Sequence, residues 1–166
     1  TQWRSVADQL RAKFPKLSQP NLAFRNLGDF QFTDVSKAWG FDETGVSQGM
    51  ALADLDGDGD LDLVVNNMNA PASVYRNEST QPRVAISLKG SGKNSSGIGA
   101  KIKVLGGAIP SQQQEMQSGG RYLSGDQATR VFAAGHPTNQ LSVQVLWPSG
   151  RVSTFVIPAN FSARIV

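Results

Sequence analysis

The sequence predicts a mainly β protein, with one small antiparallel sheet introduced by a single N-terminal helix and then an antiparallel β-sandwich or partial barrel. Helical periodicity shows in one stretch near the start, while elsewhere short apolar runs alternate residue by residue. The 17 glycines among 166 residues punctuate those runs as turns do in all-β architectures. A third sign is an Asp-rich stretch at 54–62 that apolar, strand-like runs flank on both sides, giving strand, loop, strand. A chain of this length buries a real core and fits one or two domains.

Trp3, Val6, Leu10 and Phe14 recur at helical spacing, with Arg4, Asp8, Arg11 and Lys13 on other faces. This stripe is expected to pack on the neighbouring sheet, since no dense basic face opposes it as in a membrane-surface helix. Pro15 and Pro20 are expected to end the helix. Strand-like pieces follow at 22–26 and 30–32, with a turn at Gly28-Asp29, and Phe30 and Phe32 are expected to anchor a core. Residues 34–41, with Trp39, read as a loop or short helical turn. Residues 47–53 lead into the Asp-rich loop, 61–66 leave it, and 72–77 make a last short strand.

Ser79-Thr80-Gln81-Pro82 is polar and aperiodic, and marks a joint. Beyond it Val84, Ile86 and Leu88 face one way. Ile98, Ala100, Ile102 and Val104 follow, then Leu141, Val143, Val145 and Trp147, and finally a strand over 152–157. Trp147 reads as core, and Trp-Pro-Ser-Gly at 147–150 as a turn between strands. Gly97-Ile98-Gly99-Ala100 lets a backbone pass close to a neighbour; as a phosphate cradle it lacks the lysine spacing and the following helix.

The densest chemistry lies in Asp-Leu-Asp-Gly-Asp-Gly-Asp-Leu-Asp at 54–62, where every second residue is a carboxylate. Like charges repel by about 1 kcal/mol per pair at about 4 Å even in water, so a compact loop calls for a cation. Calcium accepts six to eight oxygen ligands in flexible geometry, whereas magnesium insists on an octahedron. Counting Asp54 as position 1, Asp56 and Asp58 fall at positions 3 and 5, and Gly59 at 6 permits the turn. Asp60 would offer its backbone carbonyl, and Asp62 a carboxylate that closes the ring. An EF-hand begins this way but needs an acid at position 12, where this chain has Val65. The alternative, a solvated Asp/Gly turn, leaves the regular spacing and the flanking apolar strands unexplained.

These residues carry a resemblance. Phe24-Arg25-Asn26-Leu27-Gly28-Asp29, then Ala53 to Val65, then Tyr75-Arg76-Asn77 resemble one blade of the integrin-type FG-GAP or VCBS β-propeller repeat. The resemblance implies a propeller-blade-like antiparallel sheet over 21–79. In it Ca²⁺ is held by the side chains of Asp54, Asp56, Asp58 and Asp62 and by the carbonyl of Asp60. One complete calcium blade is present where a closed propeller needs at least four, which suggests the C-terminal part of a longer chain with upstream blades as partners.

Residues 80–166 resemble the ASPIC and UnbV domain of the cartilage acidic protein-like family. The matching residues are Asn94 with Gly97 to Lys101, Gly119 to Ser124, Val131 to Gly135, and Val145 to Gly150. Ala133-Ala134-Gly135-His136 departs from the family's usual run. The expected organisation is thus a helix and linker at 1–20, a calcium-binding blade at 21–79 and a β domain at 80–166.

Lys and Arg number 16 against 13 Asp and Glu, a formal charge of +3, yet the basic residues form no run and no aromatics are interleaved among them. Nucleic acid is therefore not an expected partner. There is no cysteine, hence no disulfide or thiolate chemistry, and no apolar run long enough to span a membrane. His136 is the sole histidine and has no triad spacing, and nothing pairs Glu115 with Asp126 as a glycosidase would require. Residues 119–127, with Arg121, Tyr122, Asp126 and Gln127, form a polar loop that could meet a carbohydrate or protein but is as readily an ordinary loop. Asn77, Asn94 and Asn160 begin glycosylation sequons.

These readings converge on a non-enzymatic, calcium-binding interaction module, extracellular, periplasmic or at the cell surface, with a protein or glycan ligand. A carbohydrate-active or carbohydrate-binding domain is the competing expectation.

Overall fold

The computed structural model describes residues 2–15, 17–90, 92–159 and 162–165, with side chains omitted at 2–5, 11 and 162–165. Thr1, the Trp3 side chain and Asn160-Phe161 lie outside the described residues. The chain is mainly β and divides into two compact units. One runs to Gln48 and includes Asn66–Pro71; the other comprises Gly49–Val65 and everything from Ala72 onward.

In the first unit, helix α1 (Gln2–Arg11) precedes strands β1 (Gln19–Pro20), β2 (Phe24–Gly28), β3 (Gln31–Asp34) and β4 (Thr44–Gly45). β2 and β3 form an antiparallel hairpin, and β1 pairs with β4. The hairpin turns at Asp29-Phe30, one step later than expected, with φ of 47° and 57°. Positive φ at both central residues suits the right-handed twist of the flanking strands. Ser36 is buried and ties the two strands of the hairpin together just past its open end: its Oγ accepts the Ala23 N–H at 2.7 Å and donates to Asp34 Oδ1 at 2.5 Å.

Two expectations are corrected here. Phe30 is 99% exposed and Phe32 59%, so neither anchors a core. Phe30 sits in the turn, and among the described residues of this unit the β2–β3 hairpin has no partner strand on either edge. The helical stripe does not bury itself either, since Val6, Leu10 and Phe14 are all exposed, and the helix ends at Arg11, before either proline.

Strands β5 (Ser47–Ala53) and β6 (Asp62–Asn67) carry the chain into and out of the Asp-rich loop, and β7 (Ser73–Tyr75) completes a sheet of order β5-β6-β7. The rest of the second unit comprises β8 (Arg83–Leu88), β9 (Lys101–Leu105), β10 (Ser111–Glu115), β11 (Gly120–Arg121), β12 (Ser124–Gly125), β13 (Thr129–Ala133), β14 (Gln140–Leu146), β15 (Val152–Pro158) and β16 (Ser162–Ile165). One sheet has the order β10-β9-β14-β15, and another β13-β8-β16, in which β16 runs parallel to β8.

The alternation expected of these strands is what builds the core. Val84, Ile86 and Leu88 from β8 and Phe132 from β13 join Ile102 and Val104 from β9, Leu141, Val143 and Val145 from β14 and Ile157 from β15 in one buried cluster. Each such side chain removed from water contributes about 1.5–3 kcal/mol. Two sheets that share an apolar interior make this a sandwich-like fold rather than a closed barrel.

The polar strand β10 carries no strand signal in the sequence because it has no apolar face. It is the edge of its sheet, and Gln112 and Gln114 donate from Nε2 to the carbonyls of Ala133 and Val131, each at 2.7 Å, on the edge strand of the other sheet. These amides satisfy an edge that would otherwise be open. Trp147 packs on the core and its indole N–H donates to Ser153 Oγ at 2.9 Å. The Trp-Pro-Ser-Gly turn forms as expected, with Gly150 at φ 82° and its N–H donating to Trp147 O.

Candidate metal centre

The Asp-rich loop is built by its own backbone. Gly57 and Gly59 adopt φ of 80° and 89°, a conformation that costs a glycine little and folds the chain back on its first residue. The Asp54 carboxylate then accepts three amides: Gly57 N–H at 2.8 Å and Asp58 N–H at 3.1 Å on Oδ1, and Gly59 N–H at 3.1 Å on Oδ2. Asp58 Oδ1 accepts the Asp60 N–H at 3.0 Å. One carboxylate oxygen from each of Asp54, Asp56 and Asp58 lies within 4.8 Å of the others. Oxygens held by one Ca²⁺ at about 2.3–2.6 Å stand at most about 5 Å apart, so these three fit a single ion.

Asp60 and Asp62 lie outside that cluster and do different work. The Asp62 carboxylate accepts Leu55 N–H at 2.9 Å and Asn77 N–H at 2.8 Å, joining the start of the loop to the segment after β7. Those two amides, with a contribution from Arg76, hold it below the usual carboxylate range despite its burial. Asp60 is 3% exposed, and neither of its side-chain oxygens accepts a hydrogen bond among the described residues. Burial pushes its carboxyl up to about 6, against the pull of Arg83 and with the charges of Asp58 and Asp62 adding to the rise. A buried carboxylate short of hydrogen bonds beside an acidic cluster is a donor set that fits a hard cation.

Two arginines supply positive charge to the loop. Arg76 Nε lies 2.8 Å from Asp56 in an exposed pair, worth at most about 1 kcal/mol. Arg83, on β8, lies 3.0 Å from Asp60 and 3.4 Å from Asp58 in a more sheltered site. Arg76 and Asn77 sit in the Tyr-Arg-Asn segment already singled out, but Arg83 carried no sequence signal, being 25 residues from Asp58.

Residues 16–65 match the FG-GAP-like repeat, and residues 90–165 match ASPIC and UnbV. The match to the FG-GAP-like repeat thus precedes the match to ASPIC and UnbV along the chain. Over 66 residues it is 39% identical to cartilage acidic protein 1 of Homo sapiens and 36% identical to those of Xenopus tropicalis and Mus musculus. Each alignment takes in 39% of this chain, which spans about a tenth of the length of these relatives. The Asp-rich loop is thus the C-terminal end of the FG-GAP-like segment.

Within the segment that matches ASPIC and UnbV, Asp126 is not placed as a general acid. Burial raises its carboxyl, but hydrogen bonds from Arg121 and Leu52 N–H and the charges of Arg121 and Arg130 outweigh that and hold it below the usual range. A glycosidase acid needs the opposite shift. His136 Nδ1 lies 2.8 Å from Thr138 Oγ1, a contact inside its own turn.

Proposed function

We propose that the chain is a calcium-stabilised, non-catalytic interaction module of a protein that works outside the cytoplasm, in which Ca²⁺ is structural. The observation that carries this reading is the convergence of Asp54, Asp56 and Asp58 oxygens within 4.8 Å, in a segment that matches the FG-GAP-like repeat. Asp60, whose backbone carbonyl is the proposed donor and whose buried carboxylate is paired with Arg83, and Asp62 complete the proposed acidic set, Asp62 by clamping the ring shut. Affinity in the range of extracellular modules, about 10⁻⁴ to 10⁻³ M, would keep such a site filled outside cells and empty in a resting cytosol.

The similarity to cartilage acidic protein 1 supports an extracellular, periplasmic or cell-surface setting. Among the described residues no helix is long and apolar enough to cross a membrane. The partners under this reading are a protein or glycan ligand and upstream propeller blades of the parent protein; the exposed Phe24, Leu27, Phe30 and Phe32 offer apolar surface for such packing.

The test is thermal melting of Asp56→Ala and Asp58→Ala. Each variant is expected to melt about 5–10 °C below the parent chain with calcium at about 100 times the parent's dissociation constant and within about 1 °C of it in chelator, the difference being the lost binding free energy. Equal losses in both buffers contradict a metal role.

A further inference from the structure

β5 is the edge of its sheet, pairing with β6 on one side only. Backbone N–H and C=O groups point alternately to the two sides of a strand, so Met50, Leu52 and Asp54 present theirs in the same direction. Segment 119–127 meets all three. Ser124 Oγ donates to Met50 O, Leu52 N–H donates to Asp126 Oδ1 at 2.9 Å, Gln127 N–H donates to Leu52 O at 2.8 Å, and Asp54 N–H donates to Gln127 Oε1 at 2.7 Å. Asp126 is itself fixed by Arg121 Nε at 2.5 Å.

The segment is shaped for this. β11 and β12 pair antiparallel across a tip at Tyr122-Leu123, with Gly119 and Gly120 at φ of 77° and 88° and Leu123 at 50°. It runs so near β5 that a Cβ on Gly49 would lie 3.0 Å from Tyr122 O. What reads in sequence as a polar loop, ordinary or ligand-binding, is a splint whose polar side chains are spent on the strand that enters the acidic loop.

We propose that segment 119–127 is a positioning device for the cation loop, and that Gln127 and Asp126, in the ASPIC and UnbV domain, set part of its affinity for Ca²⁺. Asp54 is held from both ends: Gln127 takes its N–H, while its carboxylate takes the amides of Gly57, Asp58 and Gly59. A ligand fixed before the ion arrives need not be ordered when it binds. The repeat's cation site is then incomplete without the domain that comes after it. This inference rests on the proposal that the loop binds calcium.

Calorimetric titration of the full chain with calcium chloride tests it, comparing the parent with Gln127→Ala, Gln127→Glu and Gln114→Ala. Gln127→Ala removes the acceptor for Asp54 N–H from an exposed position and is expected to weaken binding about two- to tenfold, the worth of one hydrogen bond. Gln127→Glu keeps an acceptor oxygen there and is expected to restore most of the affinity. Gln114→Ala loses an equally short bond to Val131 O elsewhere in the same unit and is expected to bind as the parent does. Parental affinity in Gln127→Ala, or equal weakening in Gln114→Ala, overturns the inference alone. Failure of the parent to bind calcium overturns the calcium reading and this inference with it.

Discussion

Five aspartates that look equivalent in sequence occupy three different environments. Asp54, Asp56 and Asp58 converge, Asp62 accepts one backbone amide on each of its oxygens, and Asp60 is buried beside Arg83. The alternation of acid and spacer told where the loop is, and the two interior glycines told that it turns. Which carboxylate faces which donor depends on Asn77 and Arg83, and the Asp54 N–H is taken by Gln127, residues that only the fold brings near, so those roles were not legible. Asp126 belongs to the same hidden set, and its titration can be observed. Its folded carboxyl lies below the unfolded reference of 3.8, so the unfolded chain takes up the proton first as pH falls. The stability it adds is complete above the unfolded value and is lost as pH drops through the folded one. Denaturant unfolding of the parent and Asp126→Asn is expected to show a gap that is constant above about pH 5 and narrows below about pH 4. A gap that widens on acidification contradicts the assignment.

At the scale of elements, period-2 alternation identified β8, β9, β14 and β15, because the sandwich interior buries alternate residues of these strands, but it missed β13, which gives Phe132 to the core. The same rule failed where an element lacks a partner layer. Phe32 and the helical stripe have the right period, but exposure is decided by what packs opposite, which period does not encode. β10 failed in the other direction, since its glutamines bridge two sheet edges and leave no hydrophobic signature. The close passage expected at Gly97 is present: with φ at 63°, a Cβ there would lie 3.1 Å from Leu88 Cβ and 3.3 Å from Trp147 Cζ3. Gly150 has a similar φ of 82° and open space around it. Gly97→Ala is therefore expected to cost about 2–4 kcal/mol, and Gly150→Ala about 1–2 kcal/mol, from the left-handed backbone alone. Chemical denaturation of the two variants measures the difference; equal costs contradict the tight packing at Gly97.

Across the whole molecule, the acidic loop belongs to the same compact unit as the C-terminal sandwich, although the FG-GAP-like match ends at Val65 and the ASPIC and UnbV match begins at Gly90. A boundary read from composition at 79–82 marks where the sequence changes character. Compactness follows contacts, and the 119–127 segment reaches back across that joint to grip β5. An ion in the loop should thus stabilise the sandwich too, and the unit should melt as one. The most direct measurement is the melting temperature of the parent chain as calcium is raised from chelator to about 100 times its dissociation constant. Stabilisation of about 2.7 kcal/mol is expected there, a rise of roughly 5–10 °C in one cooperative transition, with magnesium far less effective. A melting temperature indifferent to calcium would contradict the account.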